Sequence, residues 1–309
     1  MSHSLTRREA LAGIGAAGIA MQGRFAFAQP TPDLVTKPIP STGERLPVIG
    51  IGTARRFDVG SDEKDRAPIR EVLQNLPKLG GKLVDTAPSY GNAEEVIGGI
   101  LAELGNRDRI FLATKVGAGN RGAAAGIKEM EESLKRLRTD KLDLLMVHNL
   151  NGIMEMLPVL REWKDKGRVR YIGMSTSFDR QYADFTAIME REKLDFIQVD
   201  YAIDNRGAEE RILPLAADRG MAVLTNLPFG RGRVFQAFGK KPIPDWAKDL
   251  GIETWAQFAL KFLVSHPAVT VAIPGTARPD YLADNLGAGR GPMPDAKTRE
   301  RMADLIANG

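Results

Sequence analysis

The stretch Leu83-Val84-Asp85-Thr86-Ala87-Pro88-Ser89-Tyr90-Gly91, continued by Asn92-Ala93-Glu94-Glu95-Val96-Ile97-Gly98, decides how this chain folds. An apolar run ends at Asp85. The chain then turns through Pro88 and Gly91, and a helical pattern opens on Glu94 and Glu95. Acidic side chains suit a helix N-terminus, where the backbone dipole is positive. The segment therefore reads as strand, loop, helix, with a carboxylate and a phenol on the loop. Loops held by a rigid scaffold carry much of protein chemistry. Taken singly, Asp85 is an ordinary turn residue and Tyr90 a packing residue; the rest of the chain decides between these readings.

The same unit repeats on both sides of that stretch. Strands are predicted at Val48-Ile51, Lys82-Asp85, Ile110-Lys115, Leu142-His148, Tyr171-Ser175, Phe196-Asp200, Ala222-Asn226 and Val269-Ile273. Helices are predicted at Asp65-Leu79, Ala93-Leu104, Ile127-Leu137, Met154-Lys166, Asp179-Glu192, Glu209-Arg219, Thr254-Ser265 and, closing the chain, Asp295-Ala307. In Ile127-Leu137 the apolar positions recur at offsets of three and four, which is one face of a helix. Glycines stop several helices, as in Leu79-Gly80-Gly81 and Lys166-Gly167. Short, nearly continuous apolar strands are those buried on both faces. Strict alternation implies parallel pairing through right-handed crossovers. Eight such units predict an α/β fold, a closed parallel (β/α)8 TIM barrel forming a single domain over 43–309. The fragment Gly50-Ile51-Gly52-Thr53 does not complete a G-x-G-x-x-G fingerprint, which disfavours a Rossmann domain.

The ends and the composition narrow the function. Formal charge is +4, and the first 28 residues hold Arg7, Arg8 and Arg24 against Glu9. The remainder is too weakly basic for a nucleic-acid partner. There is no cysteine, and the only histidines are His3, His148 and His266, so no metal site is expected. Thr6-Arg7-Arg8-Glu9-Ala10-Leu11 precedes an apolar stretch, Leu11 to Met21, too short to span a bilayer. Ala26-Phe27-Ala28 then offers a cleavage site. Residues 1–28 read as an export signal of the twin-arginine kind. That predicts a periplasmic or extracellular protein with no stable membrane anchor, and the twin-arginine export machinery as a transient partner. A disordered tail or a lipid-facing helix is the competing reading. Residues 29–42, with Pro30, Pro32, Pro38 and Pro40, read as a Pro-rich linker.

In a barrel of this kind chemistry belongs at the C-terminal ends of the strands. Asp85, Lys115 and His148 end three successive predicted strands, and Tyr90 follows the first of them. A phenol has an ordinary pKa near 10. An ammonium beside it favours the phenolate and lowers that value. An aspartate paired to the lysine keeps the lysine charged. Tyr90 then suits proton donation to a developing alkoxide, and His148 suits orienting a carbonyl oxygen. No side chain supplies hydride, so the set calls for a reduced nicotinamide.

With these residues in place, the sequence resembles the aldo-keto reductase superfamily from about Gly43 to the C-terminus. The segments that carry the resemblance are Gly50 to Thr53, Asp85 to Gly98, Ala113 to Lys115, Leu142 to His148, Gly167 to Ser175, Gln198 to Tyr201 and Ile273 to Asn285. The resemblance implies Tyr90 as acid–base, Lys115 as its partner, Asp85 as the lysine's anchor and His148 as carbonyl orienter. For the cofactor it implies Gly52, Thr53 and Asp85 near the nicotinamide ribose, and Ser175 and Gln198 at the carboxamide. Asn226 falls at the ring-stacking position and Phe229 toward the diphosphate. Pro274, Gly275, Thr276, Arg278 and Asn285 form the adenine end. The chain departs from the family at Thr176, where Asn is usual, at Asn226, where an aromatic is common, and at Gly275 and Tyr281, where basic residues are often found. Arg278 is then the candidate for the 2′-phosphate of NADPH, with NADH as the other cofactor candidate.

The implied activity is NAD(P)H-dependent reduction of an aldehyde or ketone, a small-molecule carbonyl substrate, by a monomer. Phe57, the Gly117-Ala125 loop, Asn149 and the Phe235-Trp246 loop are candidate pocket walls. Two alternatives remain open at this point. One is a redox-neutral conversion of a sugar-like substrate on a tightly retained cofactor. The other is a non-catalytic, cofactor-binding barrel.

Overall fold

A computed structural model of the chain describes residues 33–308. The predicted export signal lies outside the described residues. The described chain begins with a hairpin, in which β1 (Thr36–Pro38) pairs antiparallel with β2 (Arg45–Pro47). This corrects the linker reading of 29–42 over its described part. The prolines are compatible with a strand because β1 is an edge of a two-stranded sheet. The reason the segment is ordered is apolar: Ile39 and Leu46 are fully buried.

Eight parallel strands follow in sequence order: β3 (Ile51–Gly52), β4 (Leu83–Asp85), β5 (Phe111–Val116), β6 (Leu142–Val147), β7 (Val169–Ser175), β8 (Phe196–Asp200), β9 (Ala222–Asn226) and β10 (Val271–Ala272). Bridges Ile49–Ala272 and Gly52–Gly275 join the first unit to the last and close the sheet into a (β/α)8 barrel. The first and last predicted strands are shorter than expected because their ends pair only through these single bridges.

Side chains alternate across a strand with period two, and here the alternation sorts chemistry by height. Leu83, Phe111, Leu144, Tyr171, Phe196, Ala222 and Val271 form one buried cluster with Ile39 and Leu46 of the hairpin. Two or four residues further along the same inward series come Asp85, Lys115, His148, Ser175, Gln198 and Asn226. The lower barrel is thus apolar and plugged by the hairpin, and the upper rim is polar. At Gly173, a Cβ would come within 2.3 Å of the Phe196 carbonyl oxygen. Glycine there lets β7 lie close against the Phe196 backbone of β8.

The outer layer is built from α1 (Glu63–Asn75), α2 (Ala93–Leu104), α3 (Gly122–Arg136), α4 (Ile153–Asp165), α5 (Tyr182–Arg191), α6 (Ile212–Asp218), α7 (Arg233–Phe238), α8 (Asp245–Lys248), α9 (Trp255–Val264), α10 (Pro279–Gly287) and α11 (Ala296–Ala307). The Asp62 side chain caps α1 by accepting from the Lys64 N–H, so the helix starts before the predicted Asp65. The eighth barrel helix is α10, which the sequence reading missed; α11 is an addition after it. Pro279 opens α10, where its missing N–H costs nothing. The Phe235-Trp246 segment, expected as a loop, contains most of α7 and the start of α8. No described helix is long and apolar enough to cross a membrane.

Candidate active site

The barrel rim brings the four predicted catalytic residues together. Lys115 Nζ donates to both Asp85 carboxylate oxygens, each at 2.7 Å, and to the Thr86 carbonyl at 2.9 Å. Both ends of the pair are buried, Asp85 at 2% and Lys115 at 1% exposure. Gln198 Nε2 donates to Asp85 Oδ1 at 3.0 Å. The Asp85 backbone carbonyl accepts from Thr53 Oγ1 at 3.0 Å and from the Thr53 N–H at 3.1 Å. Such a buried charge pair needs its remaining lone pairs satisfied to hold, and Gln198 of β8 supplies a donor to the carboxylate while Thr53 fixes the Asp85 backbone. Lys115 Nζ lies 5.2 Å from the centre of the Tyr90 ring. The Tyr90 and His148 rings meet edge-on, 5.8 Å apart at 84°. Ser89 Oγ is 3.4 Å from His148 Nδ1.

Electrostatics assigns states to these groups. Burial works against the Lys115 ammonium, but the Asp85 carboxylate and Tyr90 outweigh it and hold the lysine above its ordinary value. Burial raises the Tyr90 phenol above 10, and the nearby Lys115 charge only partly offsets it. The expected lowering by lysine is therefore present as an interaction and loses to desolvation, a correction to the sequence reading. The phenol is protonated at neutral pH and ready to donate. Burial, with the Lys115 charge, lowers His148 to about 4. His148 is thus a neutral hydrogen-bonding group at neutral pH rather than a cation.

The predicted nicotinamide-side residues surround the same point. Ser175 Oγ accepts from the Asn149 N–H at 3.1 Å. Asn149 and Leu150 sit at positive φ, 51° and 59°, in a short turn started by His148. Thr176, in the usual Asn position, is fully buried and bonds Gln181 Oε1 at 2.6 Å. Gln181 Nε2 in turn donates to the Asn149 carbonyl at 2.9 Å, tying the loops after β6 and β7 together. Asn226 Nδ2 donates to the Thr176 carbonyl and to Ser177 Oγ, both at 3.2 Å. The amide oxygens of Asn149 and Asn226 are buried and unpartnered among the described residues. Two orphaned acceptors flanking Ser175 and Thr176 fit the amide N–H groups of a nicotinamide carboxamide.

On the other side of the rim, a cavity of about 670 Å³ is lined by Arg56, Phe229, Phe235, Gly275, Thr276, Tyr281 and Asn285, among others. Phe229 and Phe235 meet there at a tilt of 54°, with ring centres 4.8 Å apart. The Phe235-Trp246 segment thus walls this cavity rather than the space beside His148. Gly52 and Pro274 do not line it; Gly52 N–H donates to the Pro274 carbonyl at 3.0 Å and closes the barrel above it. Arg278 also lies outside the lining. Its guanidinium is paired with Asp280, Nε–Oδ1 3.0 Å, and stacks over Tyr281 at 4.2 Å. Arg56, which the sequence reading missed, runs across Gly275: a Cβ on that glycine would lie 3.6 Å from Arg56 Cγ. Its place on the loop after the first barrel strand was the available signal. Phe57 is fully buried in the outer core. Among the described residues no group of acidic, histidine or cysteine side chains could hold a metal.

The comparisons with known proteins agree with this fold. The model of the Aldo/keto reductase family matches residues 48–301. Aldo-keto reductase YhdN of Bacillus subtilis is 35% identical over 202 residues, covering 60% of this chain and 59% of that protein. Methylglyoxal reductase YeaE of Escherichia coli is 30% identical over 248 residues, 78% of this chain and 84% of that one. A solved aldo/keto reductase from Klebsiella pneumoniae, in complex with NADP and acetate, is similar with a TM-score of 0.72 at 26% identity, covering 85% of this chain and 93% of that one. By its barrel, its rim and the family match across most of its length, this chain belongs to the Aldo/keto reductase family and, with it, to the NAD(P)H-dependent oxidoreductases.

Proposed function

We propose that this protein reduces an aldehyde or ketone to an alcohol, with Tyr90 supplying the proton. The observation that carries the reading is the Asp85–Lys115 ion pair packed beneath Tyr90, with the neutral His148 against the Tyr90 ring. A bound NAD(P)H supplies hydride to the carbonyl carbon. The protein's own part is to hold and polarise. His148 donates a hydrogen bond to the carbonyl oxygen and fixes its direction. Tyr90 hands its proton to that oxygen as negative charge builds there. Lys115 stabilises the phenolate left behind, and Asp85 with Gln198 keeps the lysine in place. Ser175, Gln198, Asn226 and Asn149 hold the carboxamide, with Thr53 and Asp85 beside the ribose.

We assign the 2′-phosphate of NADPH to Arg56, since Arg278 is engaged by Asp280. Thr276 and Asn285 line the adenine end, with Phe229 toward the diphosphate. We further infer a monomer, checked by light scattering. We also infer that residues 1–28 direct export to the periplasm or beyond, checked by the N-terminal sequence of protein isolated from cell fractions.

The decisive substitution is Tyr90→Phe. It deletes one oxygen from a half-buried ring, so the fold and cofactor binding persist. Carbonyl reduction falls about 100- to 10,000-fold, the range for loss of a positioned general acid. Wild-type turnover in this variant would rule the mechanism out.

A further inference from the structure

Beside the tetrad lies a second cavity, of about 740 Å³, most of whose lining the mechanism leaves unassigned. His148 and Ser89 line it together with Asn149, Asn151, Gln181, Arg121, Arg180 and others. A carbonyl bound at His148 would thus border this space. The size suits a small organic molecule. Its walls are unusual for a general aldehyde pocket, since they are mostly polar and include two guanidinium groups.

The two arginines differ in what they have left to offer. Arg121 is already committed. It donates to the Gly117 carbonyl at 2.6 Å, to the Ala118 carbonyl at 3.1 Å and to Glu129 Oε2 at 3.1 Å. Glu129 is the only carboxylate among the lining residues, and it also accepts from the Gly117 N–H at 2.8 Å. Arg180 has no ion pair among the described residues. Its guanidinium lies over the Phe178 ring, 4.3 Å from the centre. Stacking restricts the side chain while leaving the planar edge donors free, which is the arrangement that suits bidentate oxyanion recognition. Asp179 is next in sequence yet makes no ion pair with it.

We propose that the substrate is a carbonyl compound carrying a terminal oxyanion, a carboxylate or a phosphate, which Arg180 binds while His148 and Tyr90 hold the carbonyl. The inference rests on the carbonyl-reductase reading and names the substrate class for that same site. The polar Asn151 side chain suits a hydroxyl of such a compound better than an alkyl chain.

The test uses matched aldehydes with the intact enzyme and NADPH. Succinic semialdehyde is paired with butanal, and glyceraldehyde 3-phosphate with glyceraldehyde. In at least one pair the charged member has a kcat/KM at least tenfold higher, and the pair that does so identifies the oxyanion. In Arg180→Gln that ratio falls at least tenfold, mainly through KM, and Arg180→Lys recovers part of it. Raising ionic strength weakens the preference, because Arg180 is solvent-exposed. Equal kcat/KM within both pairs, or a ratio unmoved by Arg180→Gln, overturns the proposal while leaving the reductase intact. If wild-type enzyme reduces none of the four compounds or any other aldehyde, the reductase reading itself fails, and this inference with it.

Discussion

A single tyrosine depends here on charges it does not carry. Tyr90 is protonated at neutral pH in the free protein, and burial raises its phenol further, yet the lysine that favours its anion is already fixed in place. The four chemical residue types and their order along the chain were readable in the sequence, because barrel geometry sends strand ends to one rim. The balance of burial against attraction was not readable, since it depends on how deeply each ring is packed. Nor was the engagement of Arg278 by Asp280, or the reach of Arg56 across Gly275: both depend on side-chain direction rather than spacing. The histidines give a pH prediction. Burial lowers both His148 and His266 to about 4, while in the unfolded chain they titrate near their ordinary 6.5. Between those values the unfolded state binds more protons, so stability falls as pH drops from about 6.5 toward 4. Urea midpoints measured at pH 7 and pH 5 should show this loss, and His266→Gln should reduce it. An unchanged midpoint in the wild-type protein would contradict the buried, neutral assignment.

Among the elements, the central strands were the most legible and the first and last the least. The strands β5 to β9 are long, apolar and paired on both sides, so local sequence and final structure agree. The strand β3 and the strand β10 are two residues each, and their extent is set by closure of the barrel, a long-range event. The helix α10 escaped notice because only a short pattern follows Pro279, and its burial against α1 and α9 comes from tertiary packing. One residue shows how tightly the strands are specified. Gly173→Ala places a methyl group against the Phe196 carbonyl, so β7 and β8 must shift apart. Overpacking of this kind costs about 1–3 kcal/mol. A lower urea midpoint with an unchanged slope is the expected result, and full retention of stability would mean that the contact relaxes freely.

For the molecule as a whole, the cofactor links function to stability. A ligand present at about 100 times its Kd stabilises the folded state by about 2.7 kcal/mol. Saturating NADPH should therefore raise the melting temperature by several degrees. Arg56→Ala should diminish the gain from NADPH more than the gain from NADH, since only the former carries the extra phosphate. Equal losses for both would remove Arg56 from that role. The hairpin at the foot of the barrel has a separate effect. Ile39 and Leu46 cork the lower end, leaving traffic a single doorway. On the proposed mechanism, the proton that refills the Tyr90 phenol arrives through the same opening by which alcohol departs. An occupant lingering there delays the next turnover twice, once by blocking entry and once by keeping solvent from recharging the acid.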